Sequence, residues 1–305
     1  MKNCILLNFL KKMLRYLLHV SYIGTSFKGV QRQIIASNGR TDDLNTVQGL
    51  LEIGLKKLRP VNEPQVIISS RTDAGVHCIN STVHVDLKHH KTAFDPEHIT
   101  FGINKFFNKV NVPVRILKTF IVPTTFHCRY NAISRTYLYK LAVINNYKNS
   151  ILTEYIPIED YDRCLYICAK DFDLDTAQKA AKLFEGEHDF RSFMGRETLH
   201  PNKVTRRNIE KLEIYEKPLP TYKHPSCISS TLNYKYYEVV VKSTGFLYKQ
   251  SIEHLLGFFT VPTRFLTSLD GLDWRETYQN GIAYTSTNIS IIIENFVNQH
   301  LFKLI

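Results

Sequence analysis

Ser69-Ser70-Arg71-Thr72-Asp73-Ala74-Gly75-Val76-His77 joins an apolar run, Val66 to Ile68, to an alternating one, Ile79 to Leu87. Both flanks read as strands, because Val and Ile fit a pleated, half-buried surface and the second run alternates apolar with polar positions. The stretch between them is too polar to continue either strand, and Gly75 permits a sharp backbone path. A strand that leads into a tight polar turn can hold a single carboxylate, Asp73, rigidly at the edge of a sheet, which suits a nucleophile. Taken in isolation, Asp-Ala-Gly also has the composition of an Asx-type turn between two strands.

Working outward, Leu14 to Ile23 alternates with Leu14, Tyr16, Leu18, Val20 and Tyr22 on one side, a half-buried strand that Gly24 to Gln31 breaks into a loop. Leu44, Val47, Leu51, Leu55 and Leu58 follow helical spacing, with Asp42, Asp43 and Asn45 available to cap the start. After the signature turn and its strands, a helix opens near Asp95-Pro96 and a strand follows at Val112 to Phe120. The order β-α-β-β-α-β is a split βαβ, or ferredoxin-like, unit. A second such unit begins at the alternating run Arg135 to Leu141. It continues through a helix at Asp175 to Phe184, strands near Val204 to Ile214 and Tyr236 to Lys242, and a helix at Phe246 to Phe259. Between the last two strands, Glu216 to Asn233 is rich in Pro, Ser and Thr and reads as a surface loop.

The fold class expected is therefore α+β: two ferredoxin-like halves joined into a continuous antiparallel sheet, with helices on one face and an active-site cleft between the halves. The expected boundaries are a basic leader at 1–13, an N-terminal half at 14–125 carrying Asp73, a C-terminal half at 126–262 and a divergent segment at 263–305. Residues 1–41 hold seven Lys or Arg and no Asp or Glu. The leader has the composition of an import presequence, which favours a mitochondrial over a cytoplasmic location.

The chain has 305 residues, 44% of them apolar and 22% charged, which is the balance of a folded protein with a substantial core. A net charge of +11 and a pI near 9.2 favour an anionic partner such as nucleic acid. Six cysteines are scattered without a framework, which points to a reducing compartment. Cys164 and Cys168 stand at the spacing of one helical face, without a second pair to complete a zinc set, and read as buried thiols. No apolar run reaches the roughly 20 residues that span a bilayer. His77, His127 and His188 lack the paired spacing of a metal site, so no metal is assigned and they read as structural histidines.

Several further motifs occur in order. Tyr22, Gly24, Thr25, Phe27, Gly29 and Gln31 form an opening loop; Thr46-Val47-Gln48 with Leu51-Glu52 starts the first helix; Phe126-His127-Cys128-Arg129, Ala132 and Ser134-Arg135-Thr136-Tyr137 open the second half. Leu183, Gly186 and His188-Asp189-Phe190 follow. With the Arg71 to His77 signature, this set resembles the TruA family of tRNA pseudouridine synthases from about Leu14 to Gln250. Ile68-Ser69-Ser70 and Phe246-Leu247-Tyr248 are similar to its animal branch.

The resemblance implies an isomerase that converts uridine to pseudouridine in RNA, with a tRNA anticodon arm as the substrate and no external cofactor. It implies Asp73 as the nucleophile and Tyr137, over the base, as the group that removes the C5 proton. Arg71 would fill the space left by an extruded nucleotide. Lys28, Arg32, Arg129 and Arg135 would grip phosphates, and a homodimer is left open. The family usually carries an arginine, paired with the catalytic aspartate, where this chain has Ile252, and the stretch from Leu266 onward lacks the family's closing strand pattern. An RNA-binding pseudoenzyme that keeps the basic surface without turnover is thus the alternative expectation.

Overall fold

In the run Leu14 to Tyr22 the even-numbered side chains Tyr16, Leu18, Val20 and Tyr22 are all buried, and the odd-numbered ones are half-buried. That two-residue period makes it a strand, β1, with one face turned to a core. The computed structural model describes residues 13–33, 44–144, 160, 163–168, 172–191, 204–218, 234–247 and 301–304. The leader up to Lys12 and the expected helix at Phe246 to Phe259, apart from its first two residues, lie outside these. The chain divides into two compact units, Met1–Ile133 with Phe302–Ile305, and Ser134–Leu301.

In the first unit β1 is followed by helix α1 (Val47–Lys56), the two-residue β2 (Ile67–Ile68), β3 (His77–Leu87), α2 (Pro96–Lys109) and β4 (Val114–Val122). Strand β1 lies between β4 and β3, antiparallel to both, and β2 pairs antiparallel with β3 at Val83 and His84. This order, β4-β1-β3-β2, is the split βαβ arrangement expected from the sequence. A strand the sequence reading leaves unassigned, β10 (Leu301–Leu304), lies parallel to β3 beside His77 to Asn80.

Both helices bury their apolar stripes against the even-numbered face of β1, where Leu51, Leu55, Ile99, Ile103 and Phe107 join Tyr16 and Leu18 in one core. Helix α1 starts later than its apolar period implies. Thr46, not Asp42, Asp43 or Asn45, is the cap, its hydroxyl accepting from the Gly49 N–H, while Leu44 stays exposed. Asp95 caps α2 with Pro96 at its first position, as the sequence indicates. Glu52 is buried on α1, where it accepts from the Val66 N–H at 3.1 Å and from Arg32 at 2.7 Å, tying the helix to the chain entering β2.

On the other face of this sheet, Arg15 meets its cross-strand partner Asp86 through two bonds of 2.7 and 2.8 Å and donates to the Thr124 and Phe126 carbonyls. The turn after β4 is thereby fastened over β3, where buried His84 accepts from the Cys128 N–H. Burial holds the His84 imidazole at a pKa of about 4, with the charge on Arg15 acting in the same direction.

The second unit contains β5 (Arg135–Ile144), β6 (Leu165–Cys168), α3 (Leu174–Lys182), β7 (Gly186–Asp189), β8 (Arg206–Lys217) and β9 (Tyr234–Ser243). Strands β5, β9, β8 and β7 pair antiparallel in that order, and β6 runs parallel to the end of β5. Asp173 caps α3, whose Ala177, Ala180 and Ala181 give a close-packed apolar face. Two sheets with few helices make this the α+β class expected. The helical face proposed for Cys164 and Cys168 is corrected: Leu165–Cys168 is strand β6, because pairing with Leu141 to Ile144 outweighs a helical spacing of two residues.

The charge states predict acid sensitivity. His84 is neutral when folded but titrates near 6.5 when unfolded, so its contribution, complete above pH 6.5, is lost as pH falls toward 4. Asp86, held below the ordinary carboxylate range first by its hydrogen bond from Arg15, extends the loss below pH 3.8. Urea midpoints measured across this range should fall in both windows. His84→Asn, which keeps an acceptor without a titrating group, should flatten the slope between pH 6.5 and 4.

Candidate active site

Between β2 and β3 the chain makes a turn that is anchored on both sides of Asp73. Ser69 is buried, and its N–H donates to the Thr82 carbonyl of β3. The Thr72 hydroxyl shares a 2.8 Å hydrogen bond with the Tyr22 hydroxyl at the end of β1, and the Thr72 carbonyl accepts from the Val30 N–H at 3.2 Å. Beyond Asp73, the Gly75 N–H donates to Phe27 and the Val76 N–H closes the turn onto the Asp73 carbonyl. Gly75 takes φ of +80°, the left-handed backbone that glycine accepts without strain.

The clamp is therefore the loop Gly24 to Val30, itself fixed to the start of α1 by bonds from Val47 to Gly29 and from Gln48 to Val30. Gly24 lies so close to the turn that a Cβ there would fall 1.9 Å from the Val76 carbonyl oxygen. Its N–H donates to Nδ1 of His77, which is fully buried, and this sets that nitrogen as the acceptor.

Out of this anchored turn Asp73 projects exposed, and its carboxylate makes no hydrogen bond or ion pair among the described residues. A carboxylate without a bound partner among the described residues, on a backbone hydrogen-bonded on both sides, is available for attack on an external electrophile. Arg71, two residues earlier, is exposed on the same turn.

The other residues singled out by sequence divide into three groups. Lys28 and Arg129 are exposed in the first unit, where Lys28 has its N–H on the Asn45 carbonyl. Arg32 is bound to Glu52 and Arg135 donates to the Thr244 carbonyl at 2.6 Å, so both guanidinia already have protein partners. Tyr137 is half-buried on β5 opposite Val241, its ring edge-on to Phe246 with centroids 4.9 Å apart. Ile252 lies outside the described residues.

The three histidines each serve local structure. His77 accepts from Gly24, His127 Nδ1 accepts from the Arg129 and Tyr130 N–H groups, and His188 Nε2 bonds the Glu185 carbonyl. Tyr22, Thr72 and His77 were not distinguishable as the clamp in the sequence. Their only signal there is position: Tyr22 opens the Gly24 to Gln31 loop motif, and Thr72 and His77 lie in the Asp73 motif.

The α+β fold with one anchored, exposed carboxylate is compatible with an enzyme, and similarity to known proteins gives the class. Residues 180–252 match the profile of a tRNA pseudouridine synthase family. The mouse protein named tRNA pseudouridine synthase-like 1 is 30% identical over 238 residues, covering 77% of this chain and 76% of the relative. Its human counterpart is 31% identical over 77% of this chain and 73% of its own length. A tRNA pseudouridine synthase A of Bacillus sp. (strain KSM-64) is 31% identical over 66% of this chain and 72% of the relative. The chain belongs to the TruA family of tRNA pseudouridine synthases.

The clamp predicts a specific sensitivity. Gly24→Ala forces the Val76 backbone to move and should lower turnover on a uridine-containing tRNA transcript by at least about tenfold, the usual cost of misplacing a reacting group. A single-turnover rate equal to the original would show that Gly24 does not set the Asp73 geometry.

Proposed function

We propose that this protein isomerises uridine to pseudouridine in tRNA, with Asp73 as the nucleophile. The single observation that carries the reading is the exposed carboxylate, without a hydrogen bond or ion pair among the described residues, on a turn fixed on both flanks; membership of the family supports it. The Asp73 carboxylate attacks the ribose or the uracil ring, and the N-glycosidic bond breaks. The detached base rotates and C5 forms the new bond to the sugar; the bond to Asp73 breaks to return the free carboxylate, C5 gives up its proton and N1 takes one up. Product and substrate have the same atoms, so the reaction needs no oxidant, reductant or co-reactant. Tyr137 is proposed to take the C5 proton, and Arg71 to occupy the gap in the stack when the nucleotide is extruded. Lys28 and Arg129 are proposed as phosphate contacts and an anticodon arm as the target region.

Ile252 favours a second reading, an RNA-binding protein without turnover, since isoleucine cannot pair with a carboxylate. One experiment separates the two: tritium release from uracil-labelled tRNA transcript under single-turnover conditions, alongside RNA affinity. For a working enzyme, Asp73→Asn should eliminate release and leave affinity within a few-fold, because the side chain keeps its shape and the phosphate contacts persist. Retained turnover in that variant would refute the nucleophile assignment. An inactive original protein that binds RNA and gains activity in Ile252→Arg would establish the second reading. In an enzyme that is already active, the same substitution should raise the rate by about tenfold, from one new charge-assisted contact.

A further inference from the structure

The turn after β4 holds an aromatic stack to which the proposed mechanism gives no role. His127 is fixed within it: its N–H donates to Asn131 Oδ1 at 2.7 Å, its carbonyl accepts from Asn131, and its Nδ1 accepts from Arg129 and Tyr130, both at 3.3 Å. On the inner side its ring meets buried His84 edge-on, with centroids 4.8 Å apart. On the outer side Tyr130 lies nearly parallel to it, at 4.2 Å and 25°. Three rings thus run from core to surface, and the last is 79% exposed. Arg129 is exposed beside it, with no ion pair among the described residues.

A tyrosine in this position has one face supported by His127 and most of its surface in water. Unpaired RNA bases stack on such rings whatever their sequence, because every base has a π-face. A ring already immobilised by His127 loses little freedom on binding, and a neighbouring guanidinium supplies the phosphate contact that a stacked nucleotide needs. We infer that Tyr130, supported by His127, is a stacking platform for an unpaired nucleobase of the RNA substrate, with Arg129 on the adjoining phosphate. This rests on the proposal that the substrate is RNA, but not on Asp73 being the nucleophile.

Binding is measured in the full-length Asp73→Asn protein with an unmodified tRNA transcript as the probe. Tyr130→Ala should weaken affinity about tenfold, while Tyr130→Phe and Tyr130→Trp stay near the parent value, since stacking needs the ring and not the hydroxyl. Arg129→Ala should lower the slope of log affinity against log salt by roughly 0.7, the signature of one lost phosphate contact on a single strand, and Tyr130→Ala should leave that slope unchanged. With Asp73 restored, Tyr130→Ala should raise KM and preserve the single-turnover rate at saturating RNA. The exposed position means that its thermal midpoint should match the parent.

Unchanged affinity in Tyr130→Ala, or a loss in Tyr130→Phe equal to that in Tyr130→Ala, would overturn the platform. A fall in the saturated rate without a change in affinity would do the same. Turnover by Asp73→Asn would refute the catalytic assignment while the binding series still tests Tyr130. No binding of the transcript at all would refute both.

Discussion

The Gly24 amide reaches the buried imidazole of His77 at 3.3 Å, and around that contact the backbone of one loop is laid directly against the backbone of another. No side chain fits between them. The approach is possible because β1 ends and β3 begins side by side, with Tyr22 opposite Cys78 in the antiparallel register. It also couples the start of α1 to the Asp73 turn, since Gly29 and Val30 contact both. The ferredoxin-like order thus serves a local purpose: it brings three chain segments distant in sequence to one sheet edge, where they hold a carboxylate without touching it.

The two faces of the first sheet divide the work. The face under the helices is apolar and closely packed, and it supplies the stability. The opposite face is ionic and aromatic, with Arg15 bridging Asp86 and two carbonyls of the turn that follows β4. That arrangement is what allows His127 and Tyr130 to stand at the surface on a short turn and remain ordered. Arg15 and Asp86 therefore act structurally, whereas Lys28, Arg71 and Arg129 are the exposed cations of this unit that were singled out for RNA.

Much of this was legible in the sequence for physical reasons. A period of two is hard to mistake where one face of a strand is buried, so β1, β3 and β5 appear where alternation places them. Asp95-Pro96 marked α2 through its cap chemistry. Capping of α1 was not legible, because Asp42, Asp43, Asn45 and Thr46 are all competent caps and only tertiary packing selects the last. Strand β6 was missed because four residues carry almost no periodicity of their own. At the site, Asp73 was recognisable from its surrounding motif, but its clamp was not. The bonds that Gly24 and Val30 donate and Phe27 accepts depend on which loops are neighbours in space, and spacing along the chain does not encode that. Arg32 shows the converse: its charge suggested a phosphate, and the fold had already given it Glu52.

Strand β1 is made early and completed late. Its two sheet neighbours are β3, which ends at Leu87, and β4, which ends at Val122, so every hydrogen bond on its flanks waits for chain that has not yet been synthesised. Loop closures of this length slow folding and leave an apolar, β-prone segment exposed on the nascent chain. The clamp on Asp73 cannot assemble before β3 has docked. Anchoring of the Asp73 turn therefore waits on β3, and a ribosome-bound fragment that stops just after His77 would carry the whole signature turn without the strand pairing that holds it.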